Sequence, residues 1–206
     1  MDVNESTTGA QAPSSWNLPN ALTVLRILLV PVFLVLLLQQ GGGDPVLRTW
    51  AFAVFAGAMV TDWIDGTLAR RWDIITDFGK IADPIADKAL MASALIGLWI
   101  VGTLPLWVPL VILIREFGIT VLRFVIIRWV VLPASKGGKL KTVLQTVAIG
   151  MMLLWVPVLL WLPHAVAIGW TVVAWIILTA AIVVTLVTGI DYCVKSYRLV
   201  REAKAA

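Results

Sequence analysis

The stretch Thr61–Leu90, TDWIDGTLARRWDIITDFGKIADPIADKAL, decides how the rest of the chain is read. It sets four aspartates, Asp62, Asp65, Asp83 and Asp87, at or near the ends of long apolar runs. One carboxylate at a bilayer centre costs about 2.5–3.5 kcal/mol on insertion scales, less near the interface. Four together also repel one another. Asp62 and Asp65 stand three apart and Asp83 and Asp87 four apart, so on a helix each pair shares one face. The intervening segment reverses the chain, which lets the two pairs face each other across an antiparallel helix contact.

The neighbouring sequence makes those apolar runs membrane spans. The 206 residues are 60% hydrophobic, and mean hydropathy is strongly positive. Runs of about 20 apolar residues match one crossing of a hydrocarbon core. Six such segments are expected, at residues 20–40, 46–71, 80–102, 105–130, 139–162 and 165–195. Turn chemistry separates them in QQGGGDP, VGTLP, LPASKGGK and WLPHA. The segments are too long for strands and lack the alternation of a membrane barrel. Helices remain, because lipid offers no partner to unpaired backbone groups. The expectation is an all-α integral membrane fold with six transmembrane helices. Residues 1–15 read as a disordered tail, 16–200 as the helical domain and 201–206 as a C-terminal tail.

Lys and Arg set the orientation. With the N-terminus cytoplasmic, Arg26, Arg70, Arg71, Lys80, Lys88, Arg123, Arg128, Lys136, Lys139, Lys141 and the basic C-terminal residues fall inside. The outer loops hold only Arg48, and Arg115 stays within a helix. That asymmetry obeys the positive-inside rule and places both termini in the cytoplasm. Trp50, Trp99, Trp107 and Trp161 fall near the outer interface, whereas Trp63, Trp155 and Trp175 are expected to pack between helices. The segment SSWNLPN before the first helix is either a short interfacial stretch or a plain helix start with Asn20 as N-cap. A single cysteine, Cys193, excludes an intrachain disulfide and reads as packing; the only histidine, His164, reads as a surface residue in an outer loop. No P-loop or dinucleotide fingerprint is present, and nothing points to nucleic acid.

An ion-pair network with Arg70, Arg71, Lys80 and Lys88 could accommodate the aspartates, but it leaves the glycines unexplained. Gly66 follows Asp65, Gly79 lies four residues before Asp83, and Ala69 continues the Asp62/Asp65 face. Glycine weakens a helix interior unless backbone must come close to something. Small residues and carboxylates on one face describe a pocket with oxygen ligands for Mg²⁺ or Mn²⁺.

Asp62-x-x-Asp65-Gly66-x-x-Ala69-Arg70-x₈-Gly79-x₃-Asp83-x₃-Asp87 resembles the CDP-alcohol phosphatidyltransferase signature at all eight fixed positions. The resemblance implies a six-helix membrane enzyme, usually a homodimer. Such an enzyme moves a phosphatidyl group from CDP-diacylglycerol to an alcohol and releases CMP. It further implies that Asp62, Asp65 and Asp83 are the principal ligands of two divalent cations, with Asp87 facing the metals and acting as general base. Gly66, Ala69 and Gly79 would leave room for the nucleotide, and Arg70 would contact it. Such a division of labour suits the chemistry. A pyrophosphate needs its charge neutralised and its leaving group stabilised, and an incoming hydroxyl must lose a proton.

The flanking motifs NLPNALTVLRILLVPVF, REFGITVLR and KGGKLKTVLQTVA are similar to those of family members whose acceptor is sn-glycerol 3-phosphate. An anionic acceptor suits the remaining positive charge. Arg115 lies too deep for an interfacial anchor, and Arg123 follows two turns later on nearly the same face. Pairing of Arg115 with Glu116 is disfavoured, because helix neighbours point about 100° apart. Lys139 and Lys141 can reach a phosphate from the fifth helix. Asn20, Thr23 and Arg26 are candidates for nucleotide or pyrophosphate contacts. Competing expectations are members that use phosphatidylglycerol or inositol phosphate, and an ion transporter with an aspartate relay.

Overall fold

A computed structural model describes the backbone of residues 18–72, 77–127 and 136–205, and the side chains of 20–64, 67, 82–127 and 140–202. The expected tail 1–15 lies outside the described residues. Among the described residues all regular structure is helical, joined by short connections. Its helices are α1 (Leu18–Leu38), α2 (Pro45–Trp72), α3 (Asp77–Ile100), α4 (Trp107–Ile126), α5 (Lys136–Leu153), α6 (Trp155–Trp161) and α7 (His164–Ala205), with a 3₁₀ turn at Gln39–Gly42. The apolar segments therefore fold as helices, with amendments at three places. α1 begins at Leu18, so Asn20 lies in its first turn rather than at its cap. The fifth segment is two helices. The sixth continues as helix through the residues read as a C-terminal tail.

Local chemistry explains where the elements start and break. The Asp44 carboxylate accepts the N–H groups of Val46 and Leu47 at 2.7 and 3.0 Å, while Pro45 opens α2 where no N–H is needed. The break between α5 and α6 lies at Leu154, where the two helices bend by 42°. Pro157 has no N–H to offer the Leu153 carbonyl four residues earlier. Arg48 supplies the missing donor: its Nε reaches the Leu153 carbonyl at 3.2 Å and its Nη2 the Met152 carbonyl at 3.1 Å. Trp170 Nε1 donates to the Met151 carbonyl at 3.0 Å. Three carbonyls at the end of α5 are thus satisfied by side chains from α2 and α7. Arg48 was the lone cation of the expected outer side; it is fully buried and bonds structure rather than marking an interface.

The packing is that of a helix bundle. α1 lies against α2 and α3, α5 against α7, and α4 against α7. Phe33, Leu37, Phe55, Leu90, Leu98, Ile112, Ile149 and Leu178 form the centre of one continuous core. Buried Ala51, Ala58, Ala94, Ala148 and Ala174 let helices approach closely, as small residues do between membrane helices. At Gly97 a Cβ would lie 2.6 Å from Leu37 Cδ2, so the leucine end of α1 packs directly on that glycine of α3.

Outside, the protein is apolar: Leu28, Ile114, Phe124, Ile176 and Ile190 are all exposed. Its buried set includes Thr23, Arg26, Arg48, Lys141, Gln145 and Thr185. That inversion suits lipid, where apolar surface carries no penalty and polar groups seek one another. Two helices are long and apolar enough to cross a membrane, Asn20–Gly42 and His164–Glu202, and the bent pair α5–α6 makes a third if it counts as one span. α2, α3 and α4 carry the charged residues described below. Trp155 and Trp175 pack inside as expected, with Trp155 Nε1 on Thr171 Oγ1 at 3.1 Å. Trp63 does not: it is 71% exposed, an outward-facing aromatic near the end of α2. Cys193, read as packing, is exposed on α7, and His164 is exposed at the start of that helix.

Candidate functional site

The aspartates lie on α2 and α3, and α1 supplies their partners. Arg26, fully buried, forms an ion pair with Asp62, whose side chain is 40% exposed. Thr23, one turn earlier on α1, donates its hydroxyl to Asp83. The spacing of Thr23 and Arg26 puts both on one helix face. α1 therefore bridges the signature residues of α2 and those of α3. Asn20 is buried in the preceding turn. These three residues were candidates for nucleotide contacts; Thr23 and Arg26 are engaged with carboxylates. Pro84 stands inside α3 between Asp83 and Asp87 and removes one rung of the helical ladder there.

Asp87 faces inward within electrostatic range of Asp62, Arg26, Glu116 and Lys141. It lines a cavity of about 40 Å³ together with Lys88, Glu116, Lys141, Thr142 and Gln145, closed on its apolar side by residues of α3 and α4. That volume takes several waters or one small polar group. Lys88 donates to Thr120 Oγ1 and lies 6.0 Å from the Phe117 ring centroid. Lys141, 7% exposed, pairs with Glu116.

The cationic residues assigned to the acceptor separate into different places. Lys141 reaches the cavity wall. Arg115 turns to α7, where its Nε donates to the Thr185 carbonyl at 3.1 Å and its Nη2 to Thr188 Oγ1 at 2.9 Å. The Gly189 backbone closes against it: a Cβ there would lie 3.1 Å from Arg115 Cγ. Arg115 also pairs with Glu116 at 3.1 Å, contrary to the expectation that helix neighbours cannot meet. Both side chains are long enough to span the angle between their Cα–Cβ directions. Arg123, exposed, lies over the Tyr192 ring at 5.8 Å. Asp65, Gly66, Ala69 and Arg70 belong to α2, Gly79 to α3 and Lys139 to α5; the expectations about their side chains lie outside the described residues.

Sequence reasoning missed three residues of this arrangement: Glu116 as a shared partner, Lys88 as a cavity wall, and Gln145, whose Nε2 donates to Thr185 Oγ1 at 2.9 Å. A signal was available for each. Glu116 and Gln145 are polar residues deep in apolar segments, and Lys88 directly follows an aspartate already singled out.

Asp62, Asp83 and Asp87 offer the hard oxygen donors that Mg²⁺ and Mn²⁺ prefer, so the donor chemistry fits a divalent cation. Among the described residues, no three His, Cys, Asp or Glu side chains gather closely enough to hold an ion by themselves.

Comparison with known proteins gives the arrangement a context. Residues 16–187 match the CDP-alcohol phosphatidyltransferase family. A Mycobacterium tuberculosis protein named "Probable phosphatidylglycerophosphate synthase" is 48% identical over 182 residues, covering 88% of this chain and 82% of that protein. The Bacillus subtilis CDP-diacylglycerol–glycerol-3-phosphate 3-phosphatidyltransferase is 40% identical over 149 residues, covering 68% and 77%. A CMP-forming cardiolipin synthase of Streptomyces coelicolor is 34% identical over 213 aligned positions, covering 100% and 94%. The carboxylates that α1 holds together are the signature residues of that family, and the chain belongs to it: this is a membrane enzyme of the CDP-alcohol phosphatidyltransferase family.

Proposed function

We propose that the protein transfers the phosphatidyl group of CDP-diacylglycerol to sn-glycerol 3-phosphate, giving phosphatidylglycerophosphate and CMP. One observation carries the reading: Asp87 of the signature lines a small cavity that presents Lys88 and Lys141 on its polar side. A small anionic alcohol suits such a cavity. The names of the Mycobacterium and Bacillus relatives support the same acceptor.

Asp87 serves as general base, taking the proton of the acceptor hydroxyl. The acceptor oxygen then bonds to the β-phosphorus as the bond from that phosphorus to the bridging oxygen breaks, and CMP leaves with that oxygen. Asp62, Asp65, Asp83 and Asp87 would hold two divalent cations, which when bound neutralise the pyrophosphate and stabilise the leaving group. Arg26 and Thr23 keep Asp62 and Asp83 oriented for that task. Gly66, Ala69, Gly79 and Arg70 accommodate the nucleotide, with Asn20 at the same end of α1. Lys141, with Lys139 and Arg123, supplies the positive field for the acceptor phosphate, and Arg115 contributes indirectly through its contact with Glu116. Six crossings, cytoplasmic termini and a homodimer complete the proposal. The site then opens to the side from which a soluble acceptor arrives.

A second reading, cardiolipin formation with phosphatidylglycerol as acceptor, is favoured by the Streptomyces relative, which aligns along this whole chain. A lipid acceptor calls for an extended apolar groove beside Asp87, whereas the cavity there is small and carries Lys88, Glu116, Lys141, Thr142 and Gln145 opposite its apolar side. Purified protein incubated with CDP-diacylglycerol and Mg²⁺ distinguishes the two. The proposal expects CMP release with glycerol 3-phosphate; release with phosphatidylglycerol or inositol phosphate and none with glycerol 3-phosphate overturns it.

A further inference from the structure

The cavity beside Asp87 contains a charge of the wrong sign for an anionic acceptor. Glu116 lines it, and on charge alone would repel a phosphate. Its contacts give it another task. One carboxylate oxygen, Oε1, receives both Arg115 Nη1 and Lys141 Nζ. Arg115 is anchored independently, by the Thr185 carbonyl and the Thr188 hydroxyl of α7, and Gly189 confines its stem. Glu116 is thus held from one side by an immobilised guanidinium. On its other side it meets a lysine whose ammonium is a point charge on a flexible stem. Lys141 is buried, and a buried ammonium without a carboxylate partner would retreat from the apolar wall or lose its proton. An ammonium carries three donors, and Glu116 needs only one of them.

We propose that Glu116 is a positioning residue: braced by Arg115, it fixes the Lys141 ammonium at the cavity wall beside Asp87, where Lys141 binds the phosphate of the acceptor. Arg115 then acts through Glu116 rather than on the acceptor itself. The inference rests on the reading of this cavity as the acceptor site. It also reverses the sign expected from simple electrostatics. Removing a negative charge from the pocket should weaken, not strengthen, the binding of a negative substrate.

Steady-state kinetics on the full-length protein, with CDP-diacylglycerol and glycerol 3-phosphate varied separately, test it. Glu116→Gln should raise the KM for glycerol 3-phosphate about tenfold, with the KM for CDP-diacylglycerol within about twofold of wild type. Lys141→Gln should do the same, and the double variant should be no worse than the worse single one, because both changes remove one interaction. Glu116→Asp, which keeps the charge but sets it back by one methylene, should raise the acceptor KM by a few-fold and decides the matter if the glutamine variant does not fold. An acceptor KM that falls or stays unchanged in Glu116→Gln overturns the proposal. So do independent, multiplying effects in the double variant, or a wild-type acceptor KM in Glu116→Asp. Absence of glycerol 3-phosphate-dependent CMP release in the wild type would instead defeat the underlying reading of the acceptor.

Discussion

The guanidinium of Arg26 and the carboxylate of Asp62 form an ion pair that joins the first helix to the helix carrying the signature. Arg26 has no exposed surface, so its charge depends on that partner and on its neighbours in the bundle. Arg26→Gln should therefore affect both fold and chemistry. Because Asp62 remains partly exposed, the expected loss of stability is about 1–3 kcal/mol, below that for a fully buried pair. For a chain of this size that lowers the midpoint of thermal unfolding by roughly 3–10 °C. CMP release should fall by about two orders of magnitude as Asp62 loses its orientation. Tryptophan fluorescence in detergent and a CMP assay at low temperature measure the two effects.

Arg48 makes the opposite prediction. It satisfies the carbonyls of Met152 and Leu153 at the end of α5 and bonds Thr103 Oγ1, in the α3–α4 connection, at 2.9 Å; none of these residues lines the cavity beside Asp87. Arg48→Ala should cost about 2–4 kcal/mol, from lost hydrogen bonds to orphaned carbonyls and a cavity. Both KM values, measured well below the unfolding midpoint, should stay within about twofold of wild type. A changed acceptor KM in a protein of unchanged stability would contradict this structural role.

Gly189 tests how tightly Arg115 is confined. With a Cβ at 3.1 Å from Arg115 Cγ, alanine requires a shift of a few tenths of an ångström that a flexible side chain can make. Gly189→Ala should therefore be tolerated, costing about 1 kcal/mol or less. Gly189→Leu should displace Arg115 from Thr185 and Thr188 and cost about 1–3 kcal/mol. Equal thermal stability of the two variants would show that α7 has room to move there.

The divalent-cation requirement has a direct readout. Chelation should abolish CMP release, and added Mg²⁺ or Mn²⁺ should restore it, whereas Ca²⁺, larger and less demanding in geometry, should restore little. Full activity in excess chelator would contradict the metal role given to the four aspartates.

Much of this architecture is legible in the sequence because lipid leaves backbone few options. Long apolar runs must become helices, and six of them were countable with their turns. The division of the fifth run at Leu154 was harder to see. Pro157 marks it, but apolar length dominated the reading and hid the break. Arg48 was legible as a cation on the outer side, not as the donor that the proline-deprived carbonyl needs, since that bond joins residues 105 apart. At the site, spacing put Asp62 with Asp65 and Asp83 with Asp87, and Thr23 with Arg26. Spacing within one helix says nothing about what lies across from it. The pairing of Arg26 with Asp62 and of Thr23 with Asp83, and the turning of Arg115 towards α7, depend on how helices pack. Glu116 was set aside by a rule for ideal Cβ directions that long side chains can escape. Trp63, expected between helices, points outward because Asp62 beside it turns to Arg26 of α1, and helix neighbours do not share a face.

Asp87→Asn tests the central claim most directly, because asparagine keeps the size and most hydrogen bonds of the side chain while removing its basicity. The variant should bind CDP-diacylglycerol within about threefold of wild type and release CMP at least about a hundredfold more slowly with saturating glycerol 3-phosphate and Mg²⁺. CMP release at the wild-type rate by that variant would contradict the assignment of Asp87 as the base and of this carboxylate cluster as the seat of the transfer.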